Sequence, residues 1–135
     1  MNFVLDCSVT MAWCFNDEAS DYTDKVLDSF EEHSAIVPYL WHLEIINVLL
    51  MAEKRSKINE SQQISFLNLI KQLPIETNYL CDDLNGTRLF CKEFNLTAYD
   101  GCYLNLALAN KLPLATLDKA LKKATLEAGG TLYLL

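Results

Sequence analysis

Four carboxylates stand where acids can do chemistry: Asp6 in FVLDCSV, Glu44 in LWHLEIINVLLMA, Asp100 in LTAYDGCYLNLALAN and Asp118 in LPLATLDKAL. Asp6 and Asp118 each end a short apolar run of the kind that forms a buried strand. Glu44 lies in a segment apolar on nearly every face, and its helical neighbours Leu40, Trp41, Asn47 and Val48 include no cation. An ionised carboxylate buried without a partner is costly, so its pKa rises or something supplies positive charge. The helical neighbours of Asp100, namely Leu96, Thr97, Tyr103 and Leu104, offer no cation either. Each acid also has a modest structural explanation. Asp6 fits a turn or N-cap, Glu44 a protonated core residue, Asp100 the acid of a Thr-led capping pattern, and Asp118 a cap paired with Lys122 at i+4. Their coincidence points further, because strand ends and flanking helices converge above a parallel sheet. Hard divalent cations take oxygen ligands, and Mg2+ keeps several waters while binding one or two carboxylates and substrate phosphates. Such a set suits metal-assisted phosphoryl transfer by an activated water.

Polar residues beside the acids suit supporting roles. Ser8 lies two residues after Asp6, Thr116 two before Asp118, and Asn47 one helical turn beyond Glu44. Each is placed to hydrogen-bond a ligand or a metal-bound water, although hydroxyls at strand ends also serve as local caps. His33 and His42 have no partner at metal-ligand spacing and read as surface and packing residues. The cysteines Cys7, Cys14, Cys81, Cys91 and Cys102 are odd in number, lack C-x-x-C spacing and sit mostly among apolar residues. They read as structural thiols in a reducing compartment.

The elements that must position these residues alternate along the chain. Apolar runs at FVLD, Ala35 to Val37, Leu114 to Thr116 and Thr131 to Leu134, with a weaker one near Pro74 to Glu76, predict five strands. Helical patterns cover Ser20 to Glu32, Leu40 to Arg55, Glu60 to Gln72, Asp82 to Phe94, Ala98 to Asn110 and Asp118 to Ala128. Strands alternating with helices predict an α/β fold whose parallel sheet is covered on both faces, with sites outside the carboxyl ends of strands. One domain over 1–135 is expected, since no repeat, low-complexity tract or linker interrupts the chain. The four glycines, Gly86, Gly101, Gly129 and Gly130, form no phosphate-binding fingerprint after the first strand, which argues against a dinucleotide or nucleoside-triphosphate site.

The net charge of -7 is unevenly spread. Residues 1–53 hold ten acids and one base, Lys25, and residues 54–135 hold eight acids and ten bases, so the halves carry -9 and +2. Such a chain gains no long-range attraction to polyanions and needs a local basic patch or bound metal to reach nucleic acid. Lys119, Lys122 and Lys123, together with Lys54, Arg55 and Lys57, are the candidates for an RNA-contacting rim; solvated helix faces are the alternative. The start of the chain lacks a secretory pattern and no apolar run reaches a membrane span, so a soluble, cytoplasmic protein without membrane contact is expected.

At the level of motifs the chain resembles the PIN-domain ribonucleases and, within them, the single-domain VapC toxins of toxin-antitoxin pairs. FVLDCSV resembles that family's opening strand with its aspartate and a Ser or Thr two on, and HLEIINVL resembles its glutamate helix. Most specific is LTAYDGCYLNLALANKLPLATLDKAL, where aspartate, apolar helix, short turn, strand and Thr-x-Asp follow in family order. The resemblance implies a three-layer α/β/α fold with a mostly parallel five-stranded sheet. It also implies that Asp6, Glu44, Asp100 and Asp118 are the catalytic, metal-binding acids of a Mg2+- or Mn2+-dependent endoribonuclease. A homodimer and a cognate antitoxin whose tail enters the acidic groove follow from the same resemblance, with Tyr39 and Trp41 of YLWHL as candidate dimer contacts. Two features depart from the family. Gly101 stands where many relatives have alanine, which lowers local helix stability by about 1 kcal/mol. KALKKA follows Asp118 where many relatives carry another acid, which puts a second metal ion in question. A non-catalytic PIN-like assembly domain is the competing class. An aspartyl-phosphate phosphatase is disfavoured, because it needs an aspartate two residues after the first and Ser8 stands there.

Overall fold

Phe3, Val4 and Leu5 are fully buried with no alternation, as a strand must be when helices cover both faces of its sheet. The structure, a computed structural model, describes residues 2–79 and 83–135. Among the described residues four strands form: β1 (Asn2–Leu5), β2 (Ser34–Pro38), β3 (Ile75–Asn78) and β4 (Leu114–Ala115). All pair in parallel, in the order β3-β2-β1-β4. The chain leaves β1 toward β2 on one side and later returns to place β4 on the other. The strand order therefore reverses between β1 and β4, and the crevice beyond their carboxyl ends is the switch point of the sheet.

The expected fifth strand is a correction. Thr131 to Leu134 makes only an isolated parallel bridge, Leu114 with Leu132. Leu114 N donates to Thr131 O at 3.0 Å and Tyr133 N to Leu114 O at 2.9 Å. Leu134 takes a left-handed φ of 59°, a conformation that cannot continue a strand. Tyr133 still joins the core, its ring stacked on Phe3 at a centroid distance of 3.9 Å.

Seven helices flank the sheet among the described residues: α1 (Cys7–Ala12), α2 (Asp21–Asp28), α3 (Tyr39–Lys54), α4 (Glu60–Gln72), α5 (Leu84–Glu93), α6 (Ala98–Ala109) and α7 (Lys119–Glu127). The helix expected over Ser20 to Glu32 is α2 followed by a 3-10 turn at Ser29–Glu31. The predicted start at Asp82, like Cys81, lies outside the described residues. Cys7, Cys14 and Cys91 are free thiols, Cys7 and Cys91 buried and Cys14 half-buried. Among the described residues no helix is long and apolar enough to cross a membrane.

Candidate metal centre

Asp6 follows β1 directly and is 6 % exposed. It occupies the N-cap position of α1, yet its side chain caps nothing there. Instead its Oδ2 accepts hydrogen bonds from Ser8 Oγ at 2.6 Å and Thr116 Oγ1 at 2.7 Å. The simple capping reading of Asp6 therefore fails. Thr116 Oγ1 also accepts from Asp118 N at 3.1 Å, and Ser8 Oγ from Leu117 N at 3.0 Å. Two hydroxyls thus tie the end of β1 to the end of β4.

Asp118 caps α7 as expected, with Oδ1 accepting from Leu121 N at 2.9 Å. No ion pair with Lys122 forms; the Lys122 ammonium lies 5.9 Å from the centre of the Tyr22 ring. Asp100 sits in the first turn of α6, held by its own amide, which donates to the N-cap Thr97 Oγ1 at 3.1 Å. Among the described residues its carboxylate accepts no hydrogen bond. Glu44, half-buried on α3, accepts at Oε1 from the Tyr103 hydroxyl at 2.6 Å. Asn47 is exposed and makes no hydrogen bond to Glu44 among the described residues. His42 instead meets Thr77 Oγ1 at 2.8 Å, and His33 packs edge-on to Tyr133, in keeping with packing roles.

The four acids lie in one another's field. Burial, outweighing the hydroxyls of Ser8 and Thr116 and the Cys7 amide, pushes the Asp6 carboxyl above its ordinary value, and Asp118 pushes it further. Glu44 is raised by burial against the Tyr103 bond, with Asp6 and Asp100 adding to the rise. Asp100 is raised by burial, then by Asp118 and Asp6. The neighbouring Cys7 thiol is raised by burial and then by Glu44 and Asp6. The ion pairs among the described residues, Lys57 with Asp17 and Lys123 with Glu127, leave all four acids without a basic partner.

This donor set is chemically that of a hard cation: carboxylate oxygens from four elements, with Glu44 Oε2 and Asp118 Oδ2 outside the hydrogen bonds described. Among the described residues, however, no three His, Cys, Asp or Glu side chains stand close enough to form a ready-made cage. The acids share a field rather than a finished coordination sphere.

Of the basic candidates, Lys119, Lys122 and Lys123 follow Asp118 on α7 and are nearest in sequence to the acids. Lys123 is partnered by Glu127 at 3.8 Å. Lys54 ends α3 ten residues beyond Glu44, about 15 Å along the axis. Lys57 is engaged with Asp17 at 3.6 Å and the Phe15 ring at 4.5 Å. Sequence reasoning missed Tyr103. Its signal in the sequence is a tyrosine three residues after Asp100 on one helical face.

No family model and no curated protein matches the sequence. Solved structures do. PAE2754 from Pyrobaculum aerophilum superposes with a TM-score of 0.65 at 21 % identity, covering 92 % of this chain and 79 % of that one. A toxin-antitoxin complex from Klebsiella pneumoniae gives 0.64 at 14 %, covering 97 % and 96 %. VapBC2 from Rickettsia felis, bound to a DNA fragment from its promoter, gives 0.65 at 14 %, covering 98 % of each chain. At these identities the likeness is one of fold: the chain shares the α/β fold of these solved structures, with four strands among the described residues where five were expected.

Proposed function

We propose that the chain is a metal-dependent endoribonuclease and the toxin of a toxin-antitoxin pair, hydrolysing RNA phosphodiester bonds. One observation carries this reading. Four carboxylates, at the ends of β1 and β4 and on α3 and α6, have no cationic partner among the described residues, and Asp6, Glu44 and Asp100 are raised by burial and then by neighbouring acids. Such mutual repulsion is unfavourable unless a cation relieves it. Asp6, Glu44, Asp100 and Asp118 would hold Mg2+ or Mn2+, which when bound acidifies a water and offsets charge on the scissile phosphate. Ser8 and Thr116 keep Asp6 Oδ2 engaged and so orient Oδ1, and Thr97 fixes the turn that carries Asp100. Lys119, Lys122 and Lys123 on α7 would meet the RNA backbone beside the acids. The fold neighbours that are toxin-antitoxin complexes support an antitoxin as the partner.

The homodimer belongs to the same proposal, with one contact revised. Tyr39 is 52 % exposed and free to meet a partner, whereas Trp41 is 2 % exposed, its indole N–H donating to Thr10 Oγ1 at 3.0 Å within the same chain. Sedimentation at micromolar concentration is expected to show a species of twice 15.3 kDa, and a monomer alone would remove the dimer.

The absence of a ready-made cage among the described residues favours a second reading, a PIN-like binding domain without catalysis. One experiment separates the two. Purified protein is incubated with total RNA, with and without Mn2+ or Mg2+, beside an Asp100→Asn control. Metal-dependent fragmentation lost in the control supports the nuclease; RNA intact under every condition supports the binding domain.

A further inference from the structure

Tyr103 lies three residues after Asp100 on α6, so both side chains leave the same face of the helix. Its ring is fully buried. Its hydroxyl crosses to α3 and donates to Glu44 Oε1 at 2.6 Å, the length of a charge-assisted O–H···O− bond. No other hydrogen bond reaches the Glu44 carboxylate among the described residues. The donor is rigid, since packing on every side fixes the ring. The acceptor is a flexible half-buried glutamate at the edge of an apolar helix. One helix thus delivers an acid directly, Asp100, and fixes the acid of another helix through Tyr103.

Resting on the metal-dependent reading above, we propose that Tyr103 is a positioning residue: its hydroxyl occupies Glu44 Oε1 and holds the carboxylate with Oε2 as its free oxygen for the metal. Packing alone does not require the hydroxyl, because phenylalanine would fill the same space. The bond selects one orientation of Glu44 from several staggered ones.

The test is Mn2+ affinity, measured by calorimetry or by loss of the free-ion paramagnetic resonance signal, in wild type and Tyr103→Phe. Removal of such a supporting partner is expected to weaken Mn2+ binding roughly 10-fold or more. In a Glu44→Gln background the same change should cause no further loss, a coupling that a merely structural tyrosine would not show. Thermal melting checks the fold. Should Tyr103→Phe fail to fold, para-methylphenylalanine at position 103 keeps the shape without the donor and is expected to show the same loss. Unchanged Mn2+ affinity in a folded donor-less variant, or an equal loss with and without Glu44, overturns the proposal. A wild-type protein that binds no Mn2+ removes instead the metal-dependent reading on which it rests.

Discussion

Asp6 shows how a residue held by structural hydrogen bonds can also be proposed for chemistry. Its Oδ2 is taken by Ser8 and Thr116, so exchanging the acid for its amide retains a bonded oxygen and removes only charge. Asp6→Asn is therefore expected to fold as well as wild type and to cleave RNA slower by orders of magnitude; full activity would dismiss the assignment. Thr116→Val deletes the hydroxyl that joins Asp6 to the Asp118 amide in a fully buried place. Leaving those groups short of a partner should lower stability by about 1–3 kcal/mol in urea unfolding. The acids also set a pH dependence. Asp6 and Asp100 are raised above 3.8 and Glu44 above 4.5, so the folded chain holds protons that the unfolded chain has already released. Between those ordinary values and the raised ones, these groups make the metal-free protein less stable as pH rises. Melting temperature in a chelator should show a falling contribution across that window which Asp100→Asn reduces, and Mn2+ at neutral pH should raise it; an unaltered slope in the variant would contradict the coupling. The places of the four acids in the fold were legible in the sequence, because each sits at a strand end, in an apolar helix or at a helix start. The partner of Glu44 was not, because helical periodicity compares only positions three or four apart and Tyr103 arrives from 59 residues away.

Elements were legible where local signals agree. The helix over Glu60–Gln72 forms with its expected bounds, closed by a capping box between Asn59 and Gln62. α1 was missed because six residues, CSVTMA, are too few to display a period. The last strand was over-read because apolar TLYL lacks any local sign of the left-handed turn at Leu134. Trp41 was mistaken for a surface aromatic because on a helix apolar all round, sequence cannot say which face meets the sheet. Gly101 shows one element constraining another. A Cβ there would lie 2.3 Å from Cys91 Sγ on α5, so the glycine is matched to the thiol rather than merely tolerated. Alanine normally adds about 1 kcal/mol to helix stability over glycine. Gly101→Ala should lose that gain in the wild-type background and recover it in Cys91→Ala. Equal effects of Gly101→Ala in both backgrounds, measured by urea unfolding, would show that α5 and α6 are not coupled at this point.

On the scale of the whole molecule, charge would set how RNA and an inhibitor reach the proposed site. Residues 1–53 carry -9 and the remainder +2, so general attraction to phosphate is weak and salt-screened. RNA binding should then depend on metal at the four acids, with Lys119 and its neighbours on α7 as a basic rim. Chelation is expected to abolish both cleavage and most RNA affinity; RNA held equally well in chelator would show that the basic residues suffice. The same unpaired carboxylates favour a basic side chain in place of the ion, and arginine most of all, because its planar fork engages two carboxylate oxygens at once. An antitoxin that inserts an arginine or lysine into the acidic groove would relieve the repulsion as metal does and exclude it from the site. A small protein that inserts such an arginine, co-purified with this chain as a complex, should therefore block cleavage and suppress Mn2+ binding together. Replacing its inserted arginine by glutamine should restore Mn2+ binding and cleavage while the complex persists. An inhibitory complex that binds Mn2+ as tightly as the free chain would place the inhibitor elsewhere and leave the nuclease reading standing.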